Sequence, residues 1–311
     1  MDPLHAKRIV FYNHWNNGDV YLSRPVVEYL MKMLPGREFV YSHACPADLL
    51  GDIEGLKYDP APLVGLWNQP RWIIDEPSST VFINTWVGLC GTYYVFLPPF
   101  GGHCISLVHY VFSEQLRDLF NIEPPDVTQF IPVVNYSKFF IGEVDRFVEK
   151  DKRRKVLISN GKVLSKQAEN FDFSPIVDRL ARNFPDILFI PTAPLSVSRP
   201  NVIQSADIIK KGRPDLNETG YLSTFCDVIV GRSSGPYTFS INPQNIYSNK
   251  AFVCFCNKGM EANYGLDDPR FGVKCSFFSS SNYNAQAMTE MIERQLKNIA
   301  PSKTPEAAEA R

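Results

Sequence analysis

Apolar residues recur along this chain with two periods that take turns. Short runs rich in β-branched and aromatic residues, at 8–12, 38–41, 72–75 and 81–86 in the first half, predict buried strands. The second half repeats the pattern at 155–158, 187–190, 201–204, 227–230 and 252–255. Between these runs the spacing becomes helical. Val26, Val27, Leu30, Met31 and Leu34 share one helical face, as do Ile105, Val108, Phe112, Leu116 and Leu119 within 103–120. Further helices are predicted at 175–182, 216–225, 237–247 and 285–296. Strand and helix in alternation predict an α/β protein whose parallel sheets carry helices on both faces.

A chain of 311 residues has room for two domains of roughly 150 residues each. The run Lys150-Asp151-Lys152-Arg153-Arg154-Lys155 falls between the two sets of elements and reads as a solvated linker rather than a binding surface. The expected domains are therefore 1–149 and 150–300. Residues 301–311 combine alanine, charge and proline without an apolar face and are expected to be disordered.

Thirty-two basic against 33 acidic residues leave no electrostatic excess that would point to nucleic acid. No secretory signal opens the chain and no apolar segment approaches the roughly 18 residues of a membrane span, so a soluble, cytoplasmic protein is expected. Seven cysteines at irregular spacing give no disulfide framework. Cys254 and Cys256 fall on one face of a predicted strand and lack a matching second pair. Buried thiols are expected there, not zinc, and no other metal-ligand spacing occurs.

Two loops stand apart from the periodic background. Directly after the first strand comes Gly18-Asp19-Val20-Tyr21-Leu22-Ser23-Arg24-Pro25. Gly18 permits a tight turn, and Ser23 with Pro25 marks a helix start. Asp19 is thereby expected on a loop at a strand's carboxyl end, the edge at which open α/β sheets bind ligands, or else as a capping aspartate. In the second half, Asp227-Val228-Ile229-Val230-Gly231-Arg232-Ser233-Ser234-Gly235-Pro236 repeats the sequence of strand, glycine turn and helix start. Backbone amides at such a start, with serine hydroxyls beside them, suit a diphosphate.

The glycine-aspartate loop, serine and proline-started helix resemble the amino-terminal domain of heptosyltransferases and related family 9 glycosyltransferases. The segment from Cys226 to Pro236 is similar to their carboxyl-domain loop, which usually reads Asn-Asp-Ser-Gly-Pro. This resemblance implies a GT-B-like fold of two Rossmann-type domains facing a central cleft. It also implies metal-independent, inverting transfer of a sugar from a nucleotide-sugar donor, held on the second domain, to a hydroxyl of a glycan or glycolipid held on the first. Asp19 matches the family's catalytic aspartate, and Ser233, Ser234 and Gly235 match its phosphate-facing loop. Ser233 departs from the family's usual aspartate, and Arg232 replaces a small polar residue.

Other candidates come from position. Lys162, in Ser159-Asn160-Gly161-Lys162 after the first strand of the second half, is a candidate for reaching a leaving diphosphate or else a solvated loop lysine, and Ser159 and Asn160 beside it are candidates for the same site or ordinary turn residues. Arg232 is a candidate for pairing with phosphate or for the surface, and Thr192, at another strand end, for contact with the base or ribose. His14, in the polar-aromatic loop 13–17 suited to stacking on a sugar ring, joins Asp19 as a candidate for the catalytic site, and Asn17 and Gly18 stand on the acceptor side. His103, after Gly101 and Gly102, is a candidate for the same side or for a cap. The aromatics of 67–72 are candidates for core packing or for peripheral contact with a membrane bearing a lipid-linked acceptor. No cofactor is expected beyond the nucleotide sugar as co-substrate, because Gly-X-Gly-X-X-Gly after the first strand and a Walker lysine motif are both missing. The rival readings are a nucleotide-sugar epimerase, a fucosyltransferase-like enzyme, or a non-catalytic nucleotide- or glycan-binding protein on the same architecture.

Overall fold

The computed structural model describes residues 2–63, 66, 71–86, 104–164, 167–233, 235–260, 265, 266 and 269–299. The chain divides into two compact units, Met1–Lys138 and Phe139–Arg311. Each unit is built on its own five-stranded sheet.

The first unit contains β1 (Arg8–Asn13), α1 (Asn17–Met33), β2 (Glu38–His43), β3 (Leu56–Tyr58), β4 (Trp72–Asp75), β5 (Thr80–Asn84) and α2 (Cys104–Phe120). Its strands lie in the order β3-β2-β1-β5-β4. Ile9, Val10, Phe11 and Tyr12 are fully buried, as a central parallel strand covered on both faces requires. One strand departs from the expected parallel sheet, since β4 runs antiparallel to β5. Residues 76–79 join the two, and four residues close a hairpin but cannot make a parallel crossover.

Helix α1 begins earlier than its sequence signals predict. Asn16, in extended backbone, is the N-cap, so Asn17, Gly18 and Asp19 form the first turn and Pro25 lies inside the helix. Gly18 is helical and makes no tight turn. A proline in mid-helix costs about 3 kcal/mol in isolation. Burial on either side offsets it: Val20, Tyr21, Val26, Val27 and Leu30 enter the core, and Arg24 forms a two-pronged ion pair with Asp52 at 2.6 and 2.9 Å.

The second unit contains α3 (Gly142–Lys150), β6 (Arg154–Ser159), α4 (Ser174–Asn183), β7 (Ile187–Pro191), α5 (Ser205–Ile209), α6 (Leu216–Ser223), β8 (Val228–Arg232), α7 (Gly235–Phe239), α8 (Pro243–Ile246), β9 (Ala251–Phe255), β10 (Ser276–Ser280) and α9 (Ala285–Asn298). All its strands are parallel, in the order β10-β9-β8-β6-β7. The apolar stripe Met288, Ile292 and Leu296 of α9 packs with Ile176, Val177 and Leu180 of α4 over this sheet. Helix α3 belongs to this unit: Tyr221 Oη donates to Asp145 Oδ1 at 2.7 Å, and Lys210 pairs with Glu143. The division between units thus falls before α3, whereas the charged run after it marked the expected boundary.

That charged run is not a solvated linker. Lys155 is buried, and its Nζ donates to the carbonyls of Asp151 and Arg153 at 2.6 and 2.7 Å, while Arg154 pairs with Asp227. The expected helix at 237–247 is two short ones, because Pro243 cannot continue α7 and Asn242 caps α8 through its side chain. At 201–204 a single bridge, Phe189 to Val202, replaces the expected strand. Asn201 instead uses its side-chain amide to tie the carbonyls of Ala181, Phe184 and Ile187 together.

Candidate active site

In the first sheet the chain moves from β1 outward through β2 to β3, then returns to place β5 on the other side of β1. The reversal lies between β1 and β5, and the crevice beyond the carboxyl ends of two such strands is the usual ligand site of an open α/β sheet. Asn13 ends β1 and Asn84 ends β5. Each accepts a hydrogen bond at 2.9 Å from a backbone amide two residues on, Trp15 N and Trp86 N. Those turns bring the two indoles together, with ring centroids 4.5 Å apart and 28° between planes. Asn13 Nδ2 also donates to Thr85 Oγ1 at 3.0 Å, which joins the two strand ends directly. Thr85 Oγ1 lies 2.6 Å from Tyr41 Oη, and Tyr41 Oη lies 2.7 Å from Ser23 Oγ.

Asp19 is at this edge, in the first turn of α1. Burial pushes its carboxyl up to about 6, against the pull of backbone amides in the same turn. The Asp19 charge also raises the pKa values of Tyr41 and Cys45, in both cases behind the larger effect of burial, so the three share one environment. His43, which ends β2 opposite Asn13, donates from Nδ1 to the Cys45 carbonyl at 3.2 Å. Burial lowers its imidazole to about 4 and lowers that of His14 as well, so both are neutral at pH 7.

The second sheet has the same construction. Its reversal lies between β6 and β8, where Ser159 pairs with Gly231. A Cβ on Gly231 would come within 2.5 Å of Ser159 Cβ and 2.9 Å of its carbonyl oxygen, so only glycine lets these strand ends approach. Ser159 ends β6 and Asn160 and Lys162 follow it, Thr192 follows β7, and Ser233 and Gly235 follow β8. The predicted donor residues are thereby brought to one edge. Lys162 is exposed there, and Thr192 Oγ1 is buried without a hydrogen-bond partner among the described residues. Ser233 Oγ is 3.3 Å from Gln167 Oε1, and Gly235 opens α7 with Leu216 as its nearest neighbour.

Two residues expected at the donor have their polar groups spent on the protein. Arg232 is buried, and its guanidinium donates to the carbonyls of Asn160, Gly161, Glu169 and Phe171 while lying 4.6 and 5.0 Å from the rings of Phe171 and Phe173. It pins the loop after β6 to the end of β8 instead of reaching for phosphate. Asn160 exchanges two hydrogen bonds of 2.8 Å with the backbone of Ala193, fixing the loop after β7. His103 and Ser234 lie outside the described residues, as do residues 67–70 and the tail 301–311. Cys254 and Cys256 are buried thiols, and no group of three metal-ligating side chains occurs among the described residues. No helix among the described residues is long and apolar enough to cross a membrane.

Sequence reasoning passed over Trp86, Thr85, Tyr41, His43 and Cys45. One signal was available, because Asn-X-Trp occurs at the end of both β1 (Asn13-His14-Trp15) and β5 (Asn84-Thr85-Trp86).

No protein-family model and no curated protein matches the chain. Among solved structures it is similar to a family 9 glycosyl transferase from Veillonella parvula DSM 2008, with 16% identity, 96% of this chain and 91% of that one covered, and a TM-score of 0.52. It is also similar to the E. coli heptosyltransferase WaaC with ADP, at 11% identity, coverage of 93% and 99%, and a TM-score of 0.50. The same enzyme with ADP-2-deoxy-2-fluoro heptose gives 9% identity, coverage of 92% and 99%, and a TM-score of 0.51. The fold is GT-B-like. At these identities the likeness concerns architecture, and the chemistry has to be argued from the residues.

Proposed function

We propose that this protein is a metal-independent, inverting glycosyltransferase that moves a sugar from a nucleotide-sugar donor to a hydroxyl of a glycan or glycolipid. The observation that carries the reading is Asp19: a carboxyl poised near pH 6, in the first turn beyond the reversal of the first sheet. A general base works best when its pKa lies near the operating pH, ionised enough to accept a proton and basic enough to hold it. The E. coli structures with ADP and with a fluorinated ADP-heptose support a nucleotide sugar as the donor class.

In this reading the acceptor lies on the first unit, where Asp19 takes the proton of its hydroxyl as that oxygen attacks the anomeric carbon. The bond from that carbon to the diphosphate oxygen breaks on the opposite side, which inverts the centre. The diphosphate departs on the second unit, where Lys162, Ser233 and the backbone at Gly235 offset its charge. Thr192 Oγ1 offers a hydroxyl to the nucleoside. Arg232 and Asn160 act as positioning residues for these loops.

The test is release of nucleoside diphosphate from a panel of ADP-, UDP- and GDP-sugars. Asp19→Asn is expected to lower the rate about 100 to 10,000-fold while leaving nucleoside diphosphate affinity unchanged. A variant that keeps the wild-type rate removes Asp19 from the chemistry.

A further inference from the structure

The stacked indoles at the reversal of the first sheet are more than an edge of the core. Trp15 is 38% exposed although it is one of the largest apolar side chains, and its ring is held in place by Trp86 and by the hydrogen bond from its own backbone to Asn13. An aromatic face already ordered in the free protein can bind a partner without losing side-chain entropy at that moment. Pyranose rings present patches of C–H that pack on such a face, while their hydroxyls need donors and acceptors at the rim. Asp19, in the first turn of α1 four residues beyond Trp15, and His14, next to Trp15 in the chain, stand at the same strand end.

The charges around the pair select the kind of sugar. The described residues that follow the strands at this edge, 14–20, 44–48, 59–62 and 85–86, include Asp19, Asp48 and Asp59, the last paired with Arg8 at 3.6 Å, and no lysine or arginine. The two imidazoles, His14 and His43, are kept neutral by burial. Arg71, which precedes β4 at the same edge, is tied to Glu114 at 2.8 Å. Among the described residues a phosphorylated or carboxylated acceptor would meet carboxylates here and no uncommitted cation, at a cost that grows as water is displaced.

We infer that Trp15 and Trp86 form the acceptor platform and that the acceptor they take is a neutral glycan, stacked through a pyranose ring with a hydroxyl beside Asp19. This inference rests on the glycosyltransferase reading for the word acceptor, but not for the binding itself.

The experiment is saturation-transfer NMR on the full chain with lactose, cellobiose, maltose and chitobiose as neutral probes, and sialyllactose and glucose 6-phosphate as anionic ones. At least one neutral disaccharide is expected to receive saturation on its ring protons. Its affinity should fall about tenfold in Trp15→Ala or Trp86→Ala and much less in Trp15→Phe, which keeps a stacking face. Thermal midpoints of the variants establish that they are folded, and Trp15→Phe keeps the test decisive if the alanine variants are not. The inference is overturned if no neutral saccharide binds, if the anionic probes bind more tightly, or if binding survives Trp15→Ala unchanged. Nucleoside diphosphate release from nucleotide sugars is read on the same samples. Donor cleavage without saccharide binding overturns the platform alone. Saccharide binding without donor cleavage supports the platform and overturns the transferase reading.

Discussion

Burial weakens the acidity of Asp19, since no cation stands among the causes of its shift and the backbone amides near it pull the other way. The consequence reaches stability as well as catalysis. Its carboxyl ionises near 3.8 when unperturbed and near 6 in the folded protein, so the folded state holds the proton more tightly. Stability is therefore lost as the pH rises from about 4 to 6, and the loss is complete above that window. Asp19→Asn cannot ionise. Its thermal midpoint is expected to exceed that of the wild type at pH 7 and to approach it at pH 4, so the variant gains stability where it loses turnover. Equal midpoints at both pH values would show that burial imposes no strain on this carboxylate. Asp19 was legible in the sequence because its place depends only on the strand before it and the helix after it. His43 and Trp86 were not, because they reach the site through the order of strands in the sheet, which no local pattern specifies.

At the scale of elements, apolar runs identified the central strands and the edge strands β4 and β7, and missed the other two edges. Strands β3 and β10 went unpredicted: Leu56-Lys57-Tyr58 and Ser276-Phe277-Phe278-Ser279-Ser280 are partly or fully exposed, and an edge strand has no neighbour on one side to demand apolar residues. Pro25 misled in the other direction. Proline is commonest at the first turn of a helix, and tertiary burial around Arg24 kept α1 continuous through it. The close approach of β6 and β8 at Ser159 and Gly231 is what holds the two donor loops side by side. Gly231→Ala is expected to destabilise the protein by about 1–3 kcal/mol, read as a lower midpoint in denaturant, because the new methyl has nowhere to go. Ser159→Gly in the same chain should recover part of that loss, leaving the clash with the carbonyl. An unchanged midpoint in Gly231→Ala would mean that the strands can separate at no cost.

For the whole molecule, alternation of strand and helix was enough to predict an α/β chain in two parts, and the structure repeats one construction in both. Each sheet reverses beside its first strand, and the residues proposed for chemistry, Thr192 after β7 excepted, lie at the ends of the strands on either side of that reversal. The two edges differ in what they offer: aromatic rings and a carboxyl in the first unit, hydroxyls, backbone and Lys162 in the second. A sugar acceptor suits the former and a diphosphate the latter. The proposed route offsets the diphosphate charge with Lys162 and backbone amides in place of a divalent ion, so chelator treatment is expected to leave turnover unchanged. Loss of activity with chelator and recovery with magnesium or manganese would assign the diphosphate charge to a metal.

The donor edge of the second unit is tested most directly by calorimetric titration of the full chain with ADP, UDP and GDP. One of them is expected to bind at one site per chain. Gly235→Val is expected to weaken it about fivefold or more by crowding the backbone at the start of α7. The fold should tolerate that change, because the nearest atoms to a Cβ there belong to the movable side chain of Leu216, at 3.5 and 3.9 Å. Failure of all three nucleotides to bind, or equal affinity in folded Gly235→Val, would contradict the assignment of this edge to the donor.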